Sequence, residues 1–594
     1  MQVAHIVRSF SFSKNRLIAL AVASVVSGLA VQSQAAVHTY TNSAAATDQW
    51  SAGTNWDVAP VSDPTTTLIY AGALPEATDI ISNNDIVGTF QLNQISFTHT
   101  GPATGVAPTV SITGNPLEFV MDGATAPVIQ NVHTAGVKPL LSISNDLILS
   151  ADTSIYARTG LNLTGQISGT GSLSITGAEA LASSWSAVVV LSNPLNDYAG
   201  DTRIAVTGTS GGVRVLRLGD SEVIPNGVGK GNMIMSASSS GGRSGRLELF
   251  GFNETVNGLS SGFPSGAKNT ADNGILIRNG AATDSTFTFG DTDASSSFFG
   301  RFEDGAAGKL NIVKTGTGTQ TLTGRAVHTG TTTINGGGVV VDFDSFASTE
   351  TNDPANYFSA NSDVVLNGST FAINGRTDGG AIYQESVTMQ RYGETLTLST
   401  ANADLLSVGQ PLIATQTGGS GTIAEGLFIV AIRDAGGGNS IIELNKRPGV
   451  GGVPIATIET IASVATTSQT LKSLTLSGPT SSISTIDFGT SDSVVLTINS
   501  APIQDNDGSL LEIANWSGIE DVGGGAERLM FAGEPTDFSS VFDQSEVTFV
   551  GYSTGYKLID GDAVYEVIPI PEPASLAFLA LGGFGLLARS RRRG

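Results

Sequence analysis

The sequence predicts an all-β chain built as a stacked solenoid, and three observations predict it. Glycine supplies 73 of 594 residues and charged residues only 14%, against usual shares of about 7% and about 25%. The balance is rich in Thr, Ser and Asn, the residues of short strands and tight turns. Apolar residues alternate with polar ones in runs of a few residues, as at Leu141/Ile143, Leu147/Leu149, Leu161/Leu163 and Leu173/Ile175. A period of two is the mark of a strand, and no sustained helical spacing lies between the two termini. Finally, the chain repeats itself. Tyr198, Gly200, Thr202 and Ile204 recur in the same spacing as His328, Gly330, Thr332 and Ile334. Sandwiches, barrels and solenoids all use many short strands, but internal repetition selects the solenoid, whose turns bury their side chains only against the next turn.

Composition also excludes several classes of function. A 40% hydrophobic share allows a large core, so the chain is not an acidic disordered tail. Its 29 basic residues face 52 acidic ones, and seven of the 29 lie in the termini (Arg8, Lys14, Arg16, Arg589, Arg591, Arg592 and Arg593). Nucleic-acid binding needs basic patches that displace counterions from phosphate, so no nucleic-acid partner is expected. With no cysteine, there is no disulfide, thiol nucleophile or zinc-thiolate site.

Taken in order, residues 1–35 read as a secretory signal peptide. Arg8, Lys14 and Arg16 form its basic region, 17–31 its uncharged apolar run, and Ser33-Gln34-Ala35 a cleavage site after Ala35. Residues 36–130 are an N-terminal β cap region around Trp50 and Trp56. Two readings stand for that pair: rings stacking on sugars, or a plug over the first turn, which is preferred. Residues 131–385 carry the repeats, 386–465 a compact β insertion with strands near 406–411, 426–432 and 440–444, and 466–566 a C-terminal β-region. With ~20–29 residues per turn and ~4.8 Å between strands, the body would be a rod on the order of 100 Å long.

Residues 567–594 have three parts. Pro571-Glu572-Pro573 comes first, then the uncharged apolar stretch 574–588, then Arg589, Arg591, Arg592 and Arg593. Fifteen helical residues span only ~22 Å of a ~30 Å hydrocarbon core, and a terminal Arg cluster stays cytoplasmic. A single short transmembrane helix that holds the chain for a time is expected. The combination resembles the PEP-CTERM sorting signal of Gram-negative bacteria. The resemblance implies processing by the membrane protease exosortase, with the inner membrane as a transient station and signal peptidase acting at the other end. The phrase Lys314-Thr315-Gly316-Thr317-Gly318, continued by Thr331 to Gly337, resembles the autotransporter-associated β-strand repeat. That resemblance implies a right-handed parallel β-helix on an exported bacterial protein.

Motifs for chemistry are sparse. Gly208-Thr209-Ser210-Gly211-Gly212 fits a nucleophile elbow but lies in a Gly/Ser turn rather than between strand and helix. Gly219-Asp220-Ser221 is weaker, and Gly227-Val228-Gly229-Lys230-Gly231 lacks phosphate-loop spacing. His5, His38, His99, His133 and His328 are far apart in sequence. Asp505-Asn506-Asp507-Gly508 departs from a calcium loop, and a tight polar turn is preferred. Asp342 and Asp344 share one strand face, as an outer-face carboxylate pair or a solvated one. No catalytic, cofactor or metal residue is assigned. The expectation is a non-catalytic structural or adhesive protein of the cell surface or extracellular matrix, with extracellular polysaccharide as its partner. The alternative is a β-helix polysaccharide lyase or glycosidase, favoured if carboxylates and Arg or Lys cluster on consecutive outer strands.

Overall fold

The computed structural model describes residues 36–41, 46–133, 135–176, 187–205, 213–236, 245–262, 275–305, 307–324, 326–343, 357–375, 382–389, 394–403, 412–424, 427, 429–461, 467–489, 494–505, 508–518, 526–560 and 564–570. Most of them form a β stack of parallel strands. Nine strands from Val37–Tyr40 to Leu259–Gly262 make one sheet, ten from Ala46–Gln49 to Arg301–Glu303 a second, and four make a short third. Two seven-stranded sheets continue the stack, and Ser296 Oγ hands over between the halves by donating to the Leu259 carbonyl at 2.9 Å. In each of these sheets the strand order follows the chain, each strand pairing with the one a turn earlier. One turn takes 20 residues between Ile155 and Ile175 but 34 between Ile95 and Ile129.

The alternation in the sequence explains the core. Inward positions stack in register into aliphatic columns, the first running Leu68, Ile95, Ile129, Ile155, Ile175, Ile204 and Met235. A second column runs from Ile80 through Leu141 and Leu161 to Ile277 and Phe302. All of these are buried in one apolar cluster that continues from Tyr40 to Ile568. The four residue pairs that signalled strands are buried in the strands Leu140–Ile143, Leu147–Leu149, Leu161–Leu163 and Leu173–Thr176.

Turning corners leaves carbonyls that no strand satisfies, and buried asparagines take several of them. Asn145 Nδ2 donates to Asn115 O at 2.8 Å, Asn196 Nδ2 to Val223 O at 2.8 Å and Asn257 Nδ2 to Lys230 O at 2.9 Å. A buried carbonyl left without a partner costs on the order of 1–3 kcal/mol. The repeat found in sequence is a corner of this kind. Tyr198 Oη meets Thr202 Oγ1 at 2.6 Å and His328 Nε2 meets Thr332 Oγ1 at 2.9 Å, all four side chains buried. Gly200 and Gly330 lie so close to the preceding turn that a Cβ would strike the backbone of Gly171 and Leu310.

Both ends carry covering elements. Trp50 packs edge-on against Phe90 and Trp56, at 4.9 and 5.8 Å between ring centroids, and its indole donates to Ser82 Oγ at 2.8 Å. Trp56 meets Tyr40 and Tyr70, and Asp57 N donates to Thr39 O at 2.9 Å, covering the free edge of Val37–Tyr40. At the far end Arg528–Phe531 pairs antiparallel with Tyr565–Pro569, which pairs antiparallel with Tyr556–Asp560.

The chain leaves the stack after Thr370–Asn374 and returns at Thr467–Leu471. Between them, antiparallel strands from Ile382–Thr388 to Pro454–Ile461 enclose a separate apolar cluster that includes Met389, Leu398, Ile429, Ile442 and Ile458. The strands expected near 426–432 and 440–444 are Ile429–Gly436 and Asn439–Leu444. The one expected at 406–411 lies outside the described residues.

Candidate functional site

Most sequence-predicted positions fall into two groups. Ala35, Pro571, Glu572, Pro573, Arg589, Arg591, Arg592 and Arg593 lie outside the described residues, as do Ser210, Asp344, Asn506 and Asp507. Among the described residues no helix is long and apolar enough to cross a membrane. Several of the others are built into corners. Lys230 Nζ donates to the Asp197 carbonyl at 2.8 Å and pairs with its carboxylate, so the glycine-flanked lysine braces a turn. Asp220 accepts from the Ser221 amide at 2.7 Å. Trp50 and Trp56 are buried in the aromatic plug, so neither presents a face to a sugar. Stacking brings His99 and His133 together although they are 34 residues apart, His133 Nδ1 lying 2.9 Å from the His99 carbonyl. Among the described residues no three His, Asp or Glu side chains converge as metal ligands.

The outer face of the ten-stranded sheet holds a constellation that the sequence reading missed. The strands Arg214–Leu218, Gly245–Glu248, Leu276–Arg278 and Arg301–Glu303 lie on successive turns. One outward column reads Arg217, Glu248, Arg278, Glu303, and the column beside it reads Val215, Arg246, Leu276, Arg301. Glu248 is only 2% exposed, with arginines above, below and beside it. Arg217 Nε and Nη2 donate to its Oε2 at 2.8 and 2.6 Å. Arg278 donates to Oε1 through Nε at 3.1 Å and also through Nη2, and Arg246 Nη1 reaches the same oxygen at 3.4 Å. Arg301 pairs with Glu303. Burial alone would raise the Glu248 pKa, but the hydrogen bonds and charges of Arg217 and Arg278 outweigh it and hold the carboxyl below its usual range.

At the rim, Phe250 follows the Gly245–Glu248 strand. The residue is 45% exposed, its φ is +54°, and the Arg217 guanidinium carbon sits 4.4 Å from the ring centroid. A non-glycine residue in the left-handed region is uncommon, and an aromatic one is held there at a cost. One signal in the sequence could have found this face. Arg246-Leu247-Glu248 and Arg301-Phe302-Glu303 repeat one pattern, and each of the four strands places arginine at an outward position.

Comparison with known proteins bears on both the tail and the body. The chain is 33% identical over 224 residues to the adhesin BmaC autotransporter of Brucella suis biovar 1 (strain 1330), which covers 37% of this chain and 5% of that protein. No solved structure matches the chain at a significant level. Residues 569–593 match the PEP-CTERM protein-sorting motif, beginning where the last strand, Tyr565–Pro569, ends. The described fold therefore leads directly into a PEP-CTERM sorting motif, the mark of an exported protein whose tail is read by exosortase.

Proposed function

We propose that this protein is a non-catalytic structural or adhesive rod of the cell surface or extracellular matrix. Its signal peptide is cut after Ala35. The segment 574–588, stopped by Arg589, Arg591, Arg592 and Arg593, holds it in the inner membrane until an exosortase acts near Pro571-Glu572-Pro573. Its body is a right-handed parallel β-helix that starts within 36–130, plugged there by Trp50 and Trp56, and runs on through 131–385 and 466–566, with a side module at 386–465. The observation that carries this reading is the junction at Pro569, where the closing strand ends and the matched sorting motif begins. A cut in the tail then leaves every described strand intact. The adhesin named above supports a surface role for a body of this kind.

The alternative, a carbohydrate-active enzyme on the same scaffold, draws support from the charged outer face. A glycosidase needs a carboxyl free to exchange protons or attack. Both carboxylates of that face are engaged by arginine, and Glu248 is held ionised and covered, so the face suits binding better than turnover.

Fractionating the producing cells and mapping the C-terminus by mass spectrometry tests the proposal. A surface or extracellular species ending near Pro571 is the expected result. A full-length species retained in the inner membrane would make the tail a plain anchor and overturn it.

A further inference from the structure

We infer that the arginine–glutamate face, with Phe250 at its rim, is a binding strip for an acidic polysaccharide that carries carboxylates along its length. The inference deepens the surface-rod reading and rests on it only for where the polymer would be met. Arg217, Arg246 and Arg278 share the one Glu248 carboxylate, a positive excess of two around that group in a chain whose net charge is −23. The arginines are partly open, with 24 to 33% of each side chain exposed.

Glu248 supplies the order. It ties Nε and Nη2 of Arg217 and of Arg278, so both guanidinium planes are fixed, and among the described residues Nη1 of each is left for another acceptor. A planar fork already fixed in place loses little freedom when it takes a second carboxylate. The rungs repeat at ~4.8 Å, comparable with the length of one sugar ring, so a polymer lying across the strands meets a charged row at each step. Phe250 adds an apolar face beside Arg217, and aromatic rings with one open side pack against the C–H face of a sugar. Phe250 holds a left-handed φ of +54°, an uncommon conformation for an aromatic residue.

The test is affinity electrophoresis and titration calorimetry of the purified protein with polygalacturonate, with dextran as the uncharged polymer and heparin as a sulfated one. Three residues that act as a unit are replaced together, R217Q/E248Q/R278Q, so that no carboxylate is left buried without its arginines. Phe250→Gly is made separately, because glycine accepts a φ of +54° and the fold should not suffer. The expected result is binding to polygalacturonate and not to dextran, at least tenfold weaker in the triple variant and at least threefold weaker in Phe250→Gly, with unchanged circular dichroism. No binding to polygalacturonate, equal binding to dextran, or binding to heparin alone would overturn the inference. So would polygalacturonate binding that neither variant alters. Localisation is measured separately: a chain retained in the inner membrane that still binds polygalacturonate through this face sinks the surface reading and spares the strip, and a surface chain that ignores the polymer does the reverse.

Discussion

His328 is wholly buried, with Nε2 on Thr332 and Nδ1 without a partner. His99 is buried with neither ring nitrogen partnered. Desolvation lowers both to about 4, with a nearby Asp304 opposing the shift at His328 and His133 adding to it at His99. A depressed folded value means that the unfolded chain, titrating near 6.5, binds the proton first. The stabilisation is therefore complete above about pH 6.5 and is lost as pH falls toward 4, by on the order of 3 kcal/mol per group. The carboxylates held below their usual range, Glu248 and Asp363 among them, give up their share only at lower pH, so the two windows separate. We expect the urea midpoint to fall between pH 6.5 and 4.5, and to fall less in His328→Tyr, which places at this corner the side chain its repeat partner already uses at Tyr198. A slope that this substitution leaves untouched would show that His328 does not carry the effect. The residue types at these corners were legible, because the spacing aligned Tyr198 with His328. The approach of His99 to His133 was not, because it depends on a 34-residue turn.

At the scale of elements, the insertion is a side module. Asp363–Leu366 pairs with Ser473–Leu476 directly, and Thr370–Asn374 with Ile483–Asp487, as though nothing intervened. Gln469 fixes the re-entry, its Oε1 accepting from the amides of Tyr357 and Phe358 at 2.8 and 3.0 Å. Replacing 376–466 by a short flexible linker should therefore leave a folded stack. We expect a Tm within the few degrees that correspond to ~1 kcal/mol, and unfolding of the stack would instead show that the module supports it. Strands were readable wherever two or more apolar residues alternated, because a half-buried strand needs little else. The charged strip was not readable as a strip. Arg217, Glu248, Arg278 and Glu303 are neighbours only because loops of unequal length bring their turns into register, and no fixed period in the sequence records that.

For the whole molecule, the exposed ends of a parallel stack are its weak points, since unpaired strand edges recruit other chains. The aromatic plug at Trp50 and Trp56 and the antiparallel hairpin of Tyr556–Asp560 and Tyr565–Pro569 cover part of those ends. Trp50→Ala should cost about 3–5 kcal/mol, as large core truncations do, and should raise the share of end-to-end oligomers in light scattering coupled to size exclusion. A variant that is destabilised yet stays monomeric would confine the plug to packing. The stack has one further consequence, for heredity. Each turn meets the next through the same kind of apolar column, whether it holds 20 residues or 34, so an in-frame duplication or loss of one turn changes the reach of the rod by ~4.8 Å and leaves both ends as they were. Length can then drift among descendants of this gene by unequal recombination, while the cap, the closing hairpin and the sorting tail are inherited unchanged.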